Sequence, residues 1–436
     1  WRLGAVAIPV DVRITAAELQ NIAKRLKAKI LGGSVRNVPE FMSQHASLES
    51  DGITLVDISA FPEKAGSGSA IGYGDVIDLD APAFIILTSG TTGVPKGAVH
   101  DLGSFMVNIV DIGNMAGVVK EERGLLPLPL SHIFGLGVTL VCFAFGASVI
   151  FCDMSADGFF ACINKYDPNI LVGVPTIYGA ILGLPEGAVK LKSAHLLLSG
   201  GAPLPISMAQ DFEKRFGKKI NNGYGSTESK IIALNLDGPT ECVGRPIPSV
   251  KVEIIGEDDQ VLAEGETGEI TMSGINNMLG YVDNPEGTEK ALRNGRYYTG
   301  DLGHLKDNQI FISGRAKEMI VVAGNKVFPI EVESVLLKHE NATEVGVVGV
   351  PHKSLGQTVK AFVVIKDERL SKMLTAGGDE KKSAREELIS NFKNYSKENL
   401  KRELRPMEWD FRPADKPLPK TLSGKLDKKK LEEVSV

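Results

Sequence analysis

Short apolar runs, each closed by glycines or hydroxyl residues, recur through the first half of the chain. Residues 84–87 (Phe-Ile-Ile-Leu), 195–198 and a stretch near Ile220 read as buried strands. Between the last two, apolar positions take helical spacing over 206–216, and Gly217 supplies the stop. Strands alternating with helices through Gly223 predict a parallel α/β sheet. Nearer the start, Thr15-Ala-Ala-Glu18 is a capping box, followed by Leu19, Ile22, Leu26 and Ile30 at helical spacing. A helix is expected there, stopped by Gly32-Gly33. Residues 53–56 form a candidate strand, and the Gly- and Ser-rich span 62–74 reads as a loop.

The texture changes at Val250. Residues 250–255 alternate, Gly268-Glu-Ile-Thr-Met272 follows, and 309–312 comes after a turn at Asp307-Asn308, all antiparallel, barrel-like material. Beyond Arg315 the pattern predicts a strand at 319–322 and a helix starting at Pro329 with Glu331 and Glu333 in its first turn. Strands at 345–350 and 361–365, an exposed charged loop over 367–384 and a helix over 386–404 complete it. A second domain is therefore drawn at 317–436, after a first at 1–316. The Lys428-Lys429-Lys430 run reads as a solvated helix end. Residues 133–152 carry no charge and are long enough to span a bilayer. However, Pro127 and Pro129 precede them and Gly135, Gly137 and Gly146 interrupt them, so a buried helix followed by a strand is expected.

Composition narrows the function classes. Hydrophobic residues make up 43% and charged residues 24% of the 436, as in soluble globular proteins. A net charge of −5 with no basic half argues against nucleic acid as a partner. The cysteines (Cys142, Cys152, Cys162, Cys242) lack metal-ligand spacing and suggest reduced thiols in a cytoplasmic setting. No signal peptide is visible.

The candidate chemistry lies at strand ends. The run at 84–87 leads into Thr88, Ser89, Gly90, Thr91, Thr92 and Gly93, with Lys96 close behind. Glycines let backbone N–H groups turn toward an anion, hydroxyls add donors and the lysine adds a full charge, which suits a polyphosphate. A Walker A loop is excluded, since no Gly-Lys-Ser/Thr ending follows at the required spacing. A flexible linker is the rival reading, but a linker does not normally follow directly on a buried strand. Two further loops, Ser199-Gly-Gly-Ala-Pro203 and Asn222-Gly-Tyr-Gly-Ser-Thr-Glu228, also follow strands. Ligands of open α/β sheets bind outside the carboxyl ends of the strands, so all three loops are expected to face one cleft.

Thr88-Ser-Gly-Thr-Thr-Gly-Val-Pro-Lys-Gly97 closely resembles the phosphate loop of the adenylate-forming superfamily, which includes the acyl-CoA synthetases. Further motifs follow in that family's order. The resemblance implies an α/β fold: a large N-terminal domain of stacked α/β sheets plus a distorted β-barrel, then a small mobile α+β C-terminal domain. Leu3-Gly-Ala-Val-Ala-Ile-Pro-Val10 resembles an early core motif, so the first domain is expected to be incomplete at its start. In Asn222, Gly223, Tyr224, Gly225, Ser226, Thr227 and Glu228, the resemblance places Tyr224 on adenine, Thr227 on the α-phosphate and Glu228, with Thr88, on Mg²⁺. Gly201, Ala202 and Pro203 would join the nucleotide site. Tyr298-Thr-Gly-Asp-Leu-Gly303 implies that Asp301 accepts both ribose hydroxyls. Gly314-Arg-Ala-Lys-Glu-Met-Ile320 implies a ribose- and phosphate-side Arg315 and a hinge at Lys317. Leu418-Pro-Lys-Thr-Leu-Ser-Gly-Lys425 ends in the expected catalytic lysine, Lys425.

The acyl side is read in the same way. Pro129-Leu-Ser-His-Ile-Phe-Gly135 falls at the family's gate, making His132 a catalytic candidate, with a buried structural histidine as its rival. Phe134, Val174 and Ile177 would line the acyl pocket. Where amino-acid-activating members carry an Asp, this chain has Ile133 and Phe134, so amino acids are unsuited. Val174-Pro-Thr-Ile-Tyr-Gly-Ala180 carries no cation, and a dicarboxylate would bury an unpaired charge at a cost of several kcal/mol. Ala323-Gly-Asn-Lys326 departs from the family's usual pattern in the thiol-entry tunnel, where Gly324 would sit. The implied activity is ATP- and Mg²⁺-dependent conversion of a fatty or aryl acid to an acyl-adenylate, then transfer to coenzyme A. A carrier-protein phosphopantetheine as acceptor, or a non-catalytic nucleotide-binding relative, remains open here, as do the acyl chain length and the oligomeric state.

Overall fold

The computed structural model describes residues 4–33, 48, 52–57, 78–88, 96–152, 156–420 and 426–435. Thr15 caps helix α1 (Ala16–Arg25), its hydroxyl accepting the Glu18 N–H while Glu18 takes the Thr15 N–H at 3.0 Å. The helix ends earlier than the spacing suggests, because Lys27 adopts a left-handed φ of 52°. Gly32 and Gly33 lie in strand β1 (Ile30–Gly33), which pairs in parallel with β2 (Thr54–Asp57). The expected loop at 62–74 lies outside the described residues.

Strand β3 (Pro82–Thr88) pairs antiparallel with β4 (Lys96–Asp101), so the strands that precede and follow the candidate phosphate loop form a hairpin. Helix α2 (Leu102–Ala116) starts on an Asp101 cap that accepts the Ser104 N–H at 2.6 Å. The α/β portion then runs through β5 (Arg123–Leu125), α3 (Ile133–Ala144), β6 (Ser148–Ile150), α4 (Ala156–Tyr166), β7 (Ile170–Gly173), α5 (Pro175–Leu182), β8 (Leu196–Ser199), α6 (Ile206–Phe216) and β9 (Asn221–Ser226). From β6 through β5, β7 and β8 to β9 every pairing is parallel. Side chains of β7 and β8 alternate between two cores. Ile170, Val172, Leu196 and Leu198 join one cluster, while Leu171 and Leu197 join the cluster on the other face. Residues 133–152 resolve into α3 and β6, and no helix among the described residues is long and apolar enough to cross a membrane.

Beyond β9 the sheet turns antiparallel with β10 (Lys230–Asn235) and β11 (Arg245–Pro246). A second, antiparallel sheet follows the predicted alternation in β12 (Val250–Ile255) and β13 (Gly268–Gly274). After β14 (Gly280–Tyr281) and helix α7 (Pro285–Ala291) it takes in β15 (Leu292–Arg293), β16 (Arg296–Lys306) and β17 (Gln309–Arg315). Asp307 and Asn308, at φ 51° and 58°, form the turn between the last two. Strand β14 leaves this sheet to pair with β4, so the phosphate hairpin belongs to its own three-stranded sheet. The three glycine-bearing segments therefore follow or lie in strands of two different sheets.

A 3₁₀ turn (Ala316–Glu318) leads to the last sheet. It comprises β18 (Ile320–Val322), β19 (Asn325–Val327), then, after α8 (Pro329–Leu336), β20 (Ala342–His352) and β21 (Gly356–Ile365). The expected loop at 367–384 is helical instead: α9 (Glu368–Thr375) and the first part of α10 (Gly378–Asn399). Asp367 caps α9, and Leu370, Leu374 and Ala384 bury against the sheet in a core that also holds Leu388 and Phe392. Strand β22 (Glu408–Arg412), which the pattern reading did not anticipate, runs parallel to β21. Helix α11 (Lys428–Glu433) closes the chain. Its first lysine is not solvated: Lys428 Nζ lies 3.0 Å from Glu318 and 3.0 Å from Glu333, while Lys429 and Lys430 are exposed.

Candidate functional site

The carboxyl ends of β7 and β8 lie level, with Gly173 opposite Ser199, while Ser199 stands opposite Asn222 near the start of β9, which runs on past them to Ser226. The Gly200 N–H donates to the Gly173 carbonyl at 3.1 Å. Phe134, buried near the start of α3, closes over this edge. A Cβ on Gly200 would stand 3.0 Å from Phe134 Cζ, so any larger residue there would press on the ring. Ile177 packs on Gly173 from α5, where Val174 is the N-cap residue. Gly201, at φ 77°, leads through Ala202 to an exposed Pro203 at the rim. His132 caps α3, its Nδ1 accepting the Phe134 N–H at 3.3 Å. The structure therefore gathers Phe134, Ile177 and the loop after β8 at one place, with His132 holding the helix that carries Phe134.

The second glycine motif is not a loop. Asn222 to Ser226 lie within β9, which turns through Thr227 and Glu228 into β10. The turn is so close that a Cβ on Gly225 would meet the Lys230 carbonyl at 2.2 Å. Pairing with β10 captured residues whose glycines had suggested irregular structure. Tyr224 is thereby buried, and its hydroxyl donates to Asp301 Oδ2 at 2.7 Å. Arg315 Nε donates to Asp301 Oδ1 at 3.0 Å, Asp301 and Arg315 being cross-strand partners in β16 and β17. Burial first, and then the Asp301 charge, hold the Tyr224 phenol well above its ordinary range, so it remains a donor. Two sheets thus deliver Tyr224, Asp301 and Arg315 to one point.

A third group surrounds Glu228. Its carbonyl accepts the Met278 N–H at 2.8 Å, and its Oε1 accepts the Tyr281 hydroxyl at 2.7 Å. Lys96 Nζ stands 4.9 Å from the centroid of the same Tyr281 ring, and Thr88 is the cross-strand partner of Lys96. Ser89, Gly90, Thr91, Thr92 and Gly93 lie outside the described residues, as does Lys425. Among the described residues no three His, Cys, Asp or Glu side chains cluster as a cation cage, and Glu228 Oε2 accepts no hydrogen bond. The Glu228 carboxylate, the hydroxyl of Thr227 beside it in the chain and that of Thr88 at the end of β3 make an all-oxygen set of candidate donors. It fits Mg²⁺, which keeps waters and phosphate oxygens among its ligands.

Sequence reading missed a buried network beneath this turn. Lys230, only 2% exposed and at φ 62°, donates from Nζ to the Asn276 carbonyl at 2.9 Å, Ser104 Oγ at 3.1 Å and His100 Nδ1 at 3.3 Å. His100 Nε2 lies 2.8 Å from the Thr227 carbonyl; a carbonyl only accepts, so Nε2 carries the proton. Burial, with Lys230 adding to it, holds His100 down at about 3, and burial holds Lys230 down at about 7. Nothing in the local pattern marks Lys230 as buried. Lys317 lies exposed in the 3₁₀ turn, with its ammonium below the ordinary value through partial burial and the neighbouring Arg315. Gly324, at φ 83°, shares an exposed turn between β18 and β19 with Ala323.

The family model for AMP-binding enzymes matches residues 1–282, and that for the AMP-binding enzyme C-terminal domain matches 331–425. A long-chain-fatty-acid–CoA ligase of Salmonella typhimurium is 34% identical over 303 residues, covering 66% of this chain and 54% of that protein. A feruloyl-CoA synthase of Amycolatopsis sp. is 31% identical over 373 residues, covering 84% of this chain and 74% of that one. The chain thus spans about half the length of the first of these relatives. The crystal structure of ATP-bound MatB from Rhodopseudomonas palustris superimposes with a TM-score of 0.82 at 25% identity, over 99% of this chain and 84% of that one. Two family domains matched in order on one chain, and a fold shared over nearly its whole length, establish that it belongs to the AMP-binding enzyme family.

Proposed function

We propose that this chain activates a carboxylic acid with ATP and passes the acyl group to a thiol, that of coenzyme A. The observation that carries this reading is Asp301, held between Tyr224 and Arg315, with lone pairs remaining on both oxygens. A carboxylate so placed is a natural two-acceptor partner for a ribose diol. Tyr224 would stack on adenine. Gly201, Ala202, Pro203 and residues 222–226 would enclose the nucleoside, and Arg315 would reach its phosphate side. Thr88, the loop 89–93, Lys96 and Thr227 would hold the phosphates. Glu228 and Thr88 are the groups suited to Mg²⁺, which when bound neutralises charge on the phosphate oxygens.

In the first step a carboxylate oxygen attacks the α-phosphorus and the bond to pyrophosphate breaks. Lys425 would stabilise the charge that builds on the phosphoryl oxygens. In the second, the thiol sulfur attacks the acyl carbonyl, AMP leaves with the electron pair of the broken C–O bond, and the thiol proton passes to solvent. Lys317 would be the pivot that exchanges the two active geometries, Gly324 would lie on the thiol's path, and His132 would gate the acyl pocket. The groups gathered there, Phe134, Val174 and Ile177, are apolar. They support an uncharged aliphatic or aryl acid as substrate, and the proposed setting is cytoplasmic. The exposed Ala323-Gly324 turn, where the sequence departs from the family pattern, favours as a second reading a carrier-protein phosphopantetheine as acceptor.

Pyrophosphate release across a panel of acids, with and without coenzyme A, tests the proposal. Hexanoate or benzoate should outcompete malonate and succinate, and a thioester should form only with the thiol. A dicarboxylate preference refutes the pocket assignment, and no acid-dependent release refutes the activity.

A further inference from the structure

Tyr281 has no part in the reading above, yet it touches both sides of the candidate phosphate site. Its backbone is held firmly. Leu279 and Val282 N–H groups donate to the Val99 and Gly97 carbonyls at 2.8 and 2.9 Å, and the Tyr281 N–H donates to Thr288 Oγ1 at 2.9 Å. These bonds lock β14 onto the arm of the hairpin that begins at Lys96, while Met278 ties the same segment to the Glu228 carbonyl. The ring, half-buried, faces Lys96 Nζ, and among the described residues the hydroxyl engages only Oε1 of Glu228. Lys96 and Glu228 carry opposite charges, flank the same ring and form no ion pair with each other.

We propose that Tyr281 is a positioning residue. Its ring keeps Lys96 from pairing with Glu228, and its hydroxyl turns the Glu228 carboxylate so that Oε2 faces an incoming cation. The inference rests on the nucleotide-site reading above. A lysine and a glutamate free to meet would neutralise one another and leave neither for a Mg²⁺-bound triphosphate. A rigid aromatic spacer prevents this, because the cation is attracted to the ring face and the carboxylate to the hydroxyl at its edge. Tyr281→Phe removes only the hydroxyl, whereas Tyr281→Ala removes the spacer as well.

The test is binding of a fluorescent N-methylanthraniloyl-ATP, without acid substrate, titrated with Mg²⁺, alongside thermal melting. Tyr281→Phe should melt with the parent, bind the metal-free nucleotide as the parent does and need about 10-fold more Mg²⁺ for half-saturation, the loss expected for one hydrogen bond to a charged group. Tyr281→Ala should lose nucleotide affinity at every Mg²⁺ concentration, and Tyr281→Phe should retain it when metal is absent. A parental Mg²⁺ curve in Tyr281→Phe overturns the proposal alone. So does an affinity loss in Tyr281→Ala that only tracks a lower melting temperature. A parent that binds no nucleotide at any Mg²⁺ concentration overturns the site reading, and the proposal with it.

Discussion

Replacing Asp301 with Asn should weaken ATP binding by about 10- to 100-fold while leaving the fold nearly as stable. A carboxylate offers about four lone-pair sites. In the free protein the Tyr224 hydroxyl uses one on Oδ2 and Arg315 Nε uses one on Oδ1, at 2.7 and 3.0 Å. Each oxygen therefore keeps room for one ribose hydroxyl. Asparagine has a single acceptor oxygen; with it turned to Arg315, the amide N–H₂ faces Tyr224 and one ribose hydroxyl meets a donor. One hydrogen bond to a charged group is lost, worth about 1.5–3 kcal/mol, and each 1.4 kcal/mol is about tenfold in affinity. The stability change should be small, about 1 kcal/mol or less, because Arg315 is 49% exposed and water screens its pairing. Calorimetric titration with ATP and with 2′,3′-dideoxy-ATP decides it. The parent should lose more affinity on going to the dideoxy nucleotide than the variant does, because two bonds to a charged group are removed in the parent and only one, to a neutral amide oxygen, in the variant. The reasoning fails if the variant binds ATP within twofold of the parent while melting lower, or if both proteins lose equal affinity to the dideoxy analogue.

Lys425→Ala should slow ATP–pyrophosphate exchange by about 10²–10³-fold while thioester formation from pre-made adenylate persists; equal loss in both refutes the assignment. Lys428→Met leaves Glu318 and Glu333 facing each other in a largely buried site, and urea unfolding should show a loss of about 3–5 kcal/mol. That loss should shrink as pH falls from 7 toward 5, because burial already holds the Glu333 carboxyl above its ordinary value and protonation relieves the uncompensated charge. An unchanged midpoint would return Lys428 to the solvent. His100 titrates near 3 in the folded chain against 6.5 in the unfolded one, so as pH falls through that window the unfolded chain takes up the proton first and the parent loses stability, at about 1.4 kcal/mol per pKa unit. His100→Gln keeps an N–H for the Thr227 carbonyl without titrating. The stability of the parent relative to this variant should therefore drop between pH 6.5 and 4, and a pH-independent difference counts against the buried-histidine account.

Local features were legible in the sequence wherever their cause was local. The capping box at Thr15 and Glu18, the helix stopped at Gly217, the Asp307-Asn308 hairpin and the proline-led helix at Pro329 all follow from backbone and side-chain chemistry within a few residues. The order of glycine- and hydroxyl-rich motifs likewise pointed to the family that the comparisons establish. Partnership across the chain was not legible. Residues 222–226 form a strand because Lys230–Asn235 lies beside them, and the phosphate hairpin has its own sheet because Gly280–Tyr281 crosses to it. The span 367–384 looked like a charged loop because its few apolar residues, Leu370, Leu374 and Ala384, matter only once a sheet is there to cover them. Lys230, Lys428 and Tyr281 depend most on the tertiary structure. A charged or phenolic side chain reads as surface until distant segments supply acceptors that offset its desolvation, and those acceptors lie tens to more than a hundred residues away in the chain.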